Sequence, residues 1–181
     1  MIIRKAFKYR LEPTTDQVER LRVLCGHARF VWNHGLRHCL SELEADKKVP
    51  SAYELNKLIP QWKVDPELLW LKEGNAVTYQ QKLGDLAAAW KRCFDKSLNA
   101  ERPKFKKKGK SQDSIRFVQF DKYCQIDNRR VKLPSKLGWI KFRKSKDIQG
   151  TIKNCTISLK SGNWYISFQV EQKVAAPVHE S

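Results

Sequence analysis

With 181 residues the chain is long enough for one large domain or two small ones, and a 41% hydrophobic content suffices for a packed core, which excludes a wholly disordered tail. Its 36 Lys and Arg against 19 Asp and Glu leave a formal net charge of +17 at pH 7, a self-repulsion that points to a polyanionic partner, nucleic acid first and an anionic membrane surface second. No stretch approaches the roughly 18 apolar residues of a membrane helix, and the N-terminus MIIRKAFKYRL is too charged for a signal peptide. The five cysteines are odd in number, widely spaced and free of any C-x-x-C pair, which suits reduced thiols in the cytoplasm.

Residues 2–11 alternate: Ile3, Phe7, Tyr9 and Leu11 point one way, with Lys5 as the exception, and Arg4, Lys8 and Arg10 point the other. The period of two predicts a half-buried strand with a basic outer face. Pro13 ends it, and Thr14 with Gln17 forms a capping box. Leu21, Leu24, Cys25, Ala28, Val31, Trp32, Leu36, Leu40 and Leu43 then recur at steps of three and four, predicting one amphipathic helix over roughly 15–45. Gly26 and Gly35 inside it imply a kink or the close approach of another backbone. Ser51 and Glu54 form a second capping box opening a short helix to about Ile59, Pro66 starts another short helical turn, and a longer helix runs from about Asn75 to Leu98, burying Val77, Leu83, Leu86, Ala87, Trp90 and Phe94.

From residue 114 the period switches to two. Short strands follow, with turns at Asp127-Asn128 and Ser161-Gly162-Asn163 and, in the last strand, Trp164, Ile166, Phe168 and Val170 on one face. The fold class expected is α+β: a small antiparallel β-barrel with a helical lobe inserted after its first strand. The domain reading is a first barrel strand at 1–13, a helical lobe at 14–98, a basic connector at 99–113, the rest of the barrel at 114–173 and a tail at 174–181.

The connector holds RPKFKKKGK, residues 102–110. Its cations, Arg102, Lys104, Lys106, Lys107, Lys108 and Lys110, suit phosphates; if about six of them contact a single strand, binding falls with salt at a log–log slope near −4. Phe105 offers a ring for stacking an unpaired base, or a plug tying the loop to the barrel. A solvated linker is the plainer alternative. His34 and His38, spaced i, i+4 with Cys39 beside them, lack the glutamate of H-E-x-x-H and any third distant ligand, so no metal is expected there. No catalytic dyad, phosphate-binding glycine loop or cofactor motif stands out, and no cofactor or small-molecule substrate is expected.

Several segments, in order, carry a resemblance: Y-R-L-E-P-T-x-x-Q at 9–17, G-H-A-R-F-V-W-N at 26–33, R-P-K-F-K-K-K at 102–108, L-G-W-I-K at 137–141, G-T-I-K-N-C-T-I-S at 150–158 and S-G-N-W-Y-I-S-F-Q-V-E at 161–171. The chain resembles the N-terminal half of the OrfB/TnpB family of insertion-sequence proteins, RNA-guided DNA endonucleases. The resemblance implies a wedge-like barrel, a helical recognition lobe, and contact of the basic connector with guide RNA and duplex backbone. It also implies that Tyr53 and Gln80 read a short DNA motif, an amide being suited to adenine. Arg29, which with Asn33 flanks Phe30-Val31-Trp32, and Arg116 are further candidates for facing nucleic acid. Ser135 is an extra residue relative to the family pattern and puts the local turn in question. In the family a nuclease segment beginning G-I-D-x-G follows a strand like 163–172, where this chain reads KVAAPVHES. The expectation is therefore a cytoplasmic RNA- and DNA-binding protein, linked to transposition, that does not cut by itself. An unrelated basic RNA-binding module or a DNA-binding repressor is the alternative.

Overall fold

The structure, a computed structural model, describes residues 1–178; the last three residues of the expected tail, 179–181, lie outside the described residues. The fold is α+β. Two compact units divide it: residues 1–21 together with those from Ser114 onward, and Arg22–Asp113.

The first unit is an antiparallel sheet of seven strands: β1 (Ile2–Glu12), β2 (Ser114–Phe117), β3 (Gln125–Asp127), β4 (Arg130–Leu133), β5 (Gly138–Phe142), β6 (Thr151–Lys160) and β7 (Asn163–Lys173), ordered β2-β6-β7-β1-β5-β4-β3. The first strand finds its partners in the C-terminal half of the chain, as its alternating pattern requires. Ile2 to Arg10 of β1 pair with Lys173 to Tyr165 of β7, whereas Leu11 and Glu12 pair with β5. Among the described residues the ladder stays open, with β2 and β3 at its ends, so the expected closure into a barrel is not seen. Phe7, Tyr9 and Leu11 are buried and Arg4, Lys8 and Arg10 exposed, which is the face assignment the period of two demands.

The core of this unit centres on Phe168, whose ring lies 6.0 Å from Tyr9, 5.4 Å from Phe142 and 6.0 Å from Phe120. The Tyr9 hydroxyl, carried into this apolar setting, donates to the Lys146 carbonyl at 2.8 Å, so its polar end is satisfied. The turns follow residue chemistry. Ser161 and Gly162 both take positive φ between β6 and β7, and Asn128 does so between β3 and β4. The questioned turn at Ser135 has Ser135 and Lys136 both left-handed, and the Ser135 carbonyl accepts from Arg20 Nε at 2.9 Å.

Helix α1 (Thr15–Glu44) starts at the expected reciprocal cap: Gln17 N donates to Thr14 Oγ1 at 3.3 Å and Thr14 N to Gln17 Oε1 at 3.0 Å. A cap of this kind contributes about 1 kcal/mol. Gln17 Nε2 also donates to the carbonyls of Leu137 and Trp139, so the amide fixes the helix start against β5.

In the second unit, α1 packs with α2 (Ala52–Asn56), α3 (Leu58–Val64), a 3₁₀ stretch at Pro66–Glu73 and α4 (Ala76–Phe94). Val31, Trp32, Leu36, Leu55, Ile59, Trp62, Leu71, Tyr79, Leu83, Leu86 and Trp90 make its core. Where a close approach was expected at Gly35, side chains supply it: a Cβ there would stand 2.7 Å from Leu83 Cδ2 and 3.0 Å from Leu86 Cδ2. Asn75 opens α4, accepting from Val77 N and Thr78 N. The helix ends four residues before Leu98, the expected end. Asp95 turns to extended backbone and its carboxylate accepts from Ser97 N at 2.9 Å, a local bond that competes with helix continuation. Phe94, expected in the core, is consequently 54% exposed on the last turn, and Val77 is only half-buried.

Candidate nucleic-acid interface

The connector is fastened to one face of α1 by three consecutive contacts within the helical unit. Trp32 Nε1 donates to the Lys104 carbonyl at 2.9 Å. Asn33 engages the Lys106 peptide from both sides: Nδ2 donates to the Lys106 carbonyl at 2.9 Å, and Lys106 N donates to Oδ1 at 2.7 Å. One turn earlier, Arg29 Nε donates to Asp113 Oδ1 at 2.9 Å, with both side chains largely buried. An Asn amide is one of the few side chains able to satisfy both polar groups of an extended residue at once. Beyond this clamp the chain makes a tight turn. Lys110 N and Ser111 N donate to the Lys107 carbonyl, and Gly109 takes φ +76° at the position where a side chain would be strained.

The clamp sorts the expected contact residues. Lys104, Lys107, Lys108 and Lys110 are exposed, Lys104 in a 2.6 Å surface pair with Glu101. Arg102 is exposed and its guanidinium lies 5.8 Å from the Trp90 ring centre. Phe105 keeps 44% of its surface in solvent, as a stacking ring needs and a buried plug would not. Two of the expected contact residues have partners within the unit. Arg29 is held by Asp113, and Lys106 places its Nζ 4.3 Å from the Trp32 ring centre. Burial holds the Lys106 pKa below its ordinary value, with Asp85 and Asp113 opposing the shift. Tyr53, on α2, is 70% exposed with Lys57 Nζ 4.3 Å over its ring, and Gln80 is exposed on α4. Arg116 is half-buried in β2, opposite Thr156.

A second basic surface, absent from the sequence reading, lies in the sheet unit. The β3–β4 turn and the ends of β1 and β5 enclose a concavity of about 710 Å³ lined by Arg129, Arg130, Lys141, Arg143 and Lys144 with Glu12 and Asp127. Both carboxylates are already engaged, Glu12 by Arg143 and Asp127 by Arg130. Lys141 stands opposite Glu12 on one side and Arg130 on the other in the strand register. Arg130 also lies 4.9 Å over the Trp139 ring. The sequence signal was weak because these cations come from two separated short stretches, 129–130 and 141–144.

Histidine chemistry serves packing here. His34 stacks on Phe30 at 5.1 Å and meets the edge of Trp62 at 4.7 Å. Burial, then the Arg37 charge, lowers its pKa below the usual value. A depressed His pKa means the unfolded chain binds the proton more readily, so stability is fully present above about pH 6.5 and is lost as pH falls toward the lowered folded value. Melting His34→Leu beside the parent chain between about pH 5 and 7 should show a flatter pH dependence in the variant. Among the described residues no group of three or more His, Cys, Asp or Glu side chains could hold a metal ion. Burial and the nearby Asp113 push the Cys25 thiol up to about 12, which keeps it protonated. Among the described residues no helix is long and apolar enough to cross a membrane.

The exposed lysines and free aromatic ring of the fastened turn in the helical unit, and the cationic concavity of the sheet unit, each suit phosphodiester chains. Comparison with known proteins agrees with that chemistry. The helix-turn-helix domain of the OrfB/IS605 type matches residues 1–48, which here hold β1 and the whole of α1. InsQ of Escherichia coli (strain K12), whose provisional name is RNA-guided DNA endonuclease, is 39% identical over 177 residues, 98% of this chain and 43% of InsQ. A Streptomyces pristinaespiralis protein with the same provisional name is 25% identical over 95% of this chain and 42% of its own length. The virulence protein VsdF of Salmonella dublin is 30% identical over 58% of this chain and 93% of VsdF. The chain belongs to the OrfB/TnpB family of insertion-sequence proteins. It spans less than half the length of the first two relatives.

Proposed function

We propose that this chain is the nucleic-acid-holding part of an insertion-sequence protein, gripping a guide RNA and the transposon or target DNA in the cytoplasm and contributing binding and orientation to DNA transposition, with no bond cleavage by its own residues. The observation that carries the reading is the clamp of Trp32 and Asn33 on the connector backbone, which fixes the main chain while leaving Lys104, Lys107, Lys108 and Lys110 outward. A solvated linker has no need of three side chains from one helix face to hold it. Arg102 and Phe105 complete that surface. Arg29 and Lys106 serve it from behind by shaping the loop, and Arg116 and the concavity around Lys141 supply further positive surface. Tyr53 and Gln80 are assigned to reading DNA bases, Gln80 because an amide pairs bidentately with adenine. RNA-guided endonuclease activity, in the words of the relatives' names, belongs in this reading to a whole protein of their length.

The test is to sequence the RNA that co-purifies with the chain and to titrate the protein with single-stranded RNA and duplex DNA at rising salt. One dominant transcript from a transposon end, with steeply salt-dependent binding, is the expected result. Bulk ribosomal RNA, or no binding at modest ionic strength, overturns it.

A further inference from the structure

The helical unit carries a cleft that the phosphate-holding surface does not use. Between the segment leading into α2 and the second half of α4 lies an opening of about 660 Å³, within the range of small-ligand sites. Small residues, Ala52, Gly84, Ala87 and Ala88, make room in it, and Trp90 and Phe94 supply its aromatic wall. These two rings stack nearly parallel, 5.5 Å apart at 19°. Trp90 is buried, and the Arg102 guanidinium lies 5.8 Å from its ring centre, whereas Phe94 is 54% exposed. The rings therefore form a short column whose outer member is open to solvent. Lys48 and Lys91 line the same cleft; both are exposed, and among the described residues neither has a carboxylate partner.

We propose that this cleft takes an unpaired nucleobase of a single-stranded nucleic acid, stacked on Phe94, with the adjoining phosphate held by Lys48 and Lys91. A flat apolar ligand fits a cleft of this size with an aromatic wall, and two cations without partners at its edge call for an anionic appendage on that ligand. A nucleotide unit has both, whereas an apolar side chain of a protein partner would leave the lysines unanswered. Stacking on an exposed aromatic ring is tolerant of sequence, since every base has a π-face. The proposal rests on the nucleic-acid reading above and adds a site for a base where that reading needs only phosphates.

The test uses a single-stranded oligonucleotide carrying one 2-aminopurine, whose fluorescence falls on stacking, and a duplex of the same sequence. Phe94→Ala should abolish the quenching and weaken single-strand binding about tenfold, with duplex affinity and the salt slope unchanged. Phe94→Tyr should retain the quenching, which together with an unchanged melting temperature excludes a folding defect. Lys91→Gln should lower the magnitude of the single-strand salt slope by about 0.7. If Phe94→Ala binds like the parent chain, or loses duplex as much as single strand, the cleft proposal fails while the wider reading stands. If the parent chain binds neither nucleic acid, both fail.

Discussion

Replacing Lys104, Lys107, Lys108 and Lys110 together by glutamine should reduce the magnitude of the log–log salt slope for single-stranded RNA by about 3. Each phosphate contact on a single strand releases about 0.7 of a counterion, so four contacts account for that change. Over a fourfold rise in salt, the parent chain would lose about fifty-fold more affinity than the variant. The contrast is Lys106→Gln. Its cation faces the Trp32 ring, where the cation–π contact and the hydrocarbon stem hold it inside the unit. That single change should leave the slope unaltered and lower the melting temperature instead. Fluorescence anisotropy titrations at several salt concentrations separate the two, and equal slope changes per lysine at all five positions would mean that the clamp does not sort these residues.

Asp113→Ala should destabilise the helical unit by about 3 kcal/mol, because it leaves the Arg29 guanidinium largely buried and unpaired. The side chains of this pair are 18% and 12% exposed, and the bond is 2.9 Å long, so water replaces the lost partner poorly. For a chain of this size the change corresponds to roughly 6–12 °C in Tm. The double variant Arg29→Met with Asp113→Leu should recover most of the loss, since an apolar pair of similar volume requires no desolvated charge. Thermal melts of Arg29→Met, Asp113→Leu and the double variant complete a cycle. An additive double variant would show that the two side chains act independently.

Features governed by neighbours in sequence were legible from the start. The capping box at Thr14 and Gln17, the alternation along β1 and β7 and the turn at Ser161 and Gly162 each depend on residues within a few positions of one another, and all are present. What escaped depends on partners far away. Arg29 and Lys106 looked like phosphate ligands because nothing local opposes their charge; their partners Asp113 and Trp32 lie 84 and 74 positions off along the chain. Phe94 continued the apolar period of α4 and so read as core, but the Asp95 turn stops the helix before that face is covered. The concavity around Arg129 and Lys141 draws on two short cationic stretches, 129–130 and 141–144, that only strand register unites, placing Glu12, Arg130 and Lys141 side by side.

The long pairing of β1 with β7 sets an order of events during synthesis. Residues 2–10 leave the ribosome before the helical unit, and their partners at 165–173 only after it. The helical unit, whose contacts close within residues 22–113, can form while the nascent N-terminal strand still waits with Phe7 and Tyr9 uncovered. Closing so long a loop is slow. In the living cell that interval is when the apolar face of β1 most needs the cover of a chaperone.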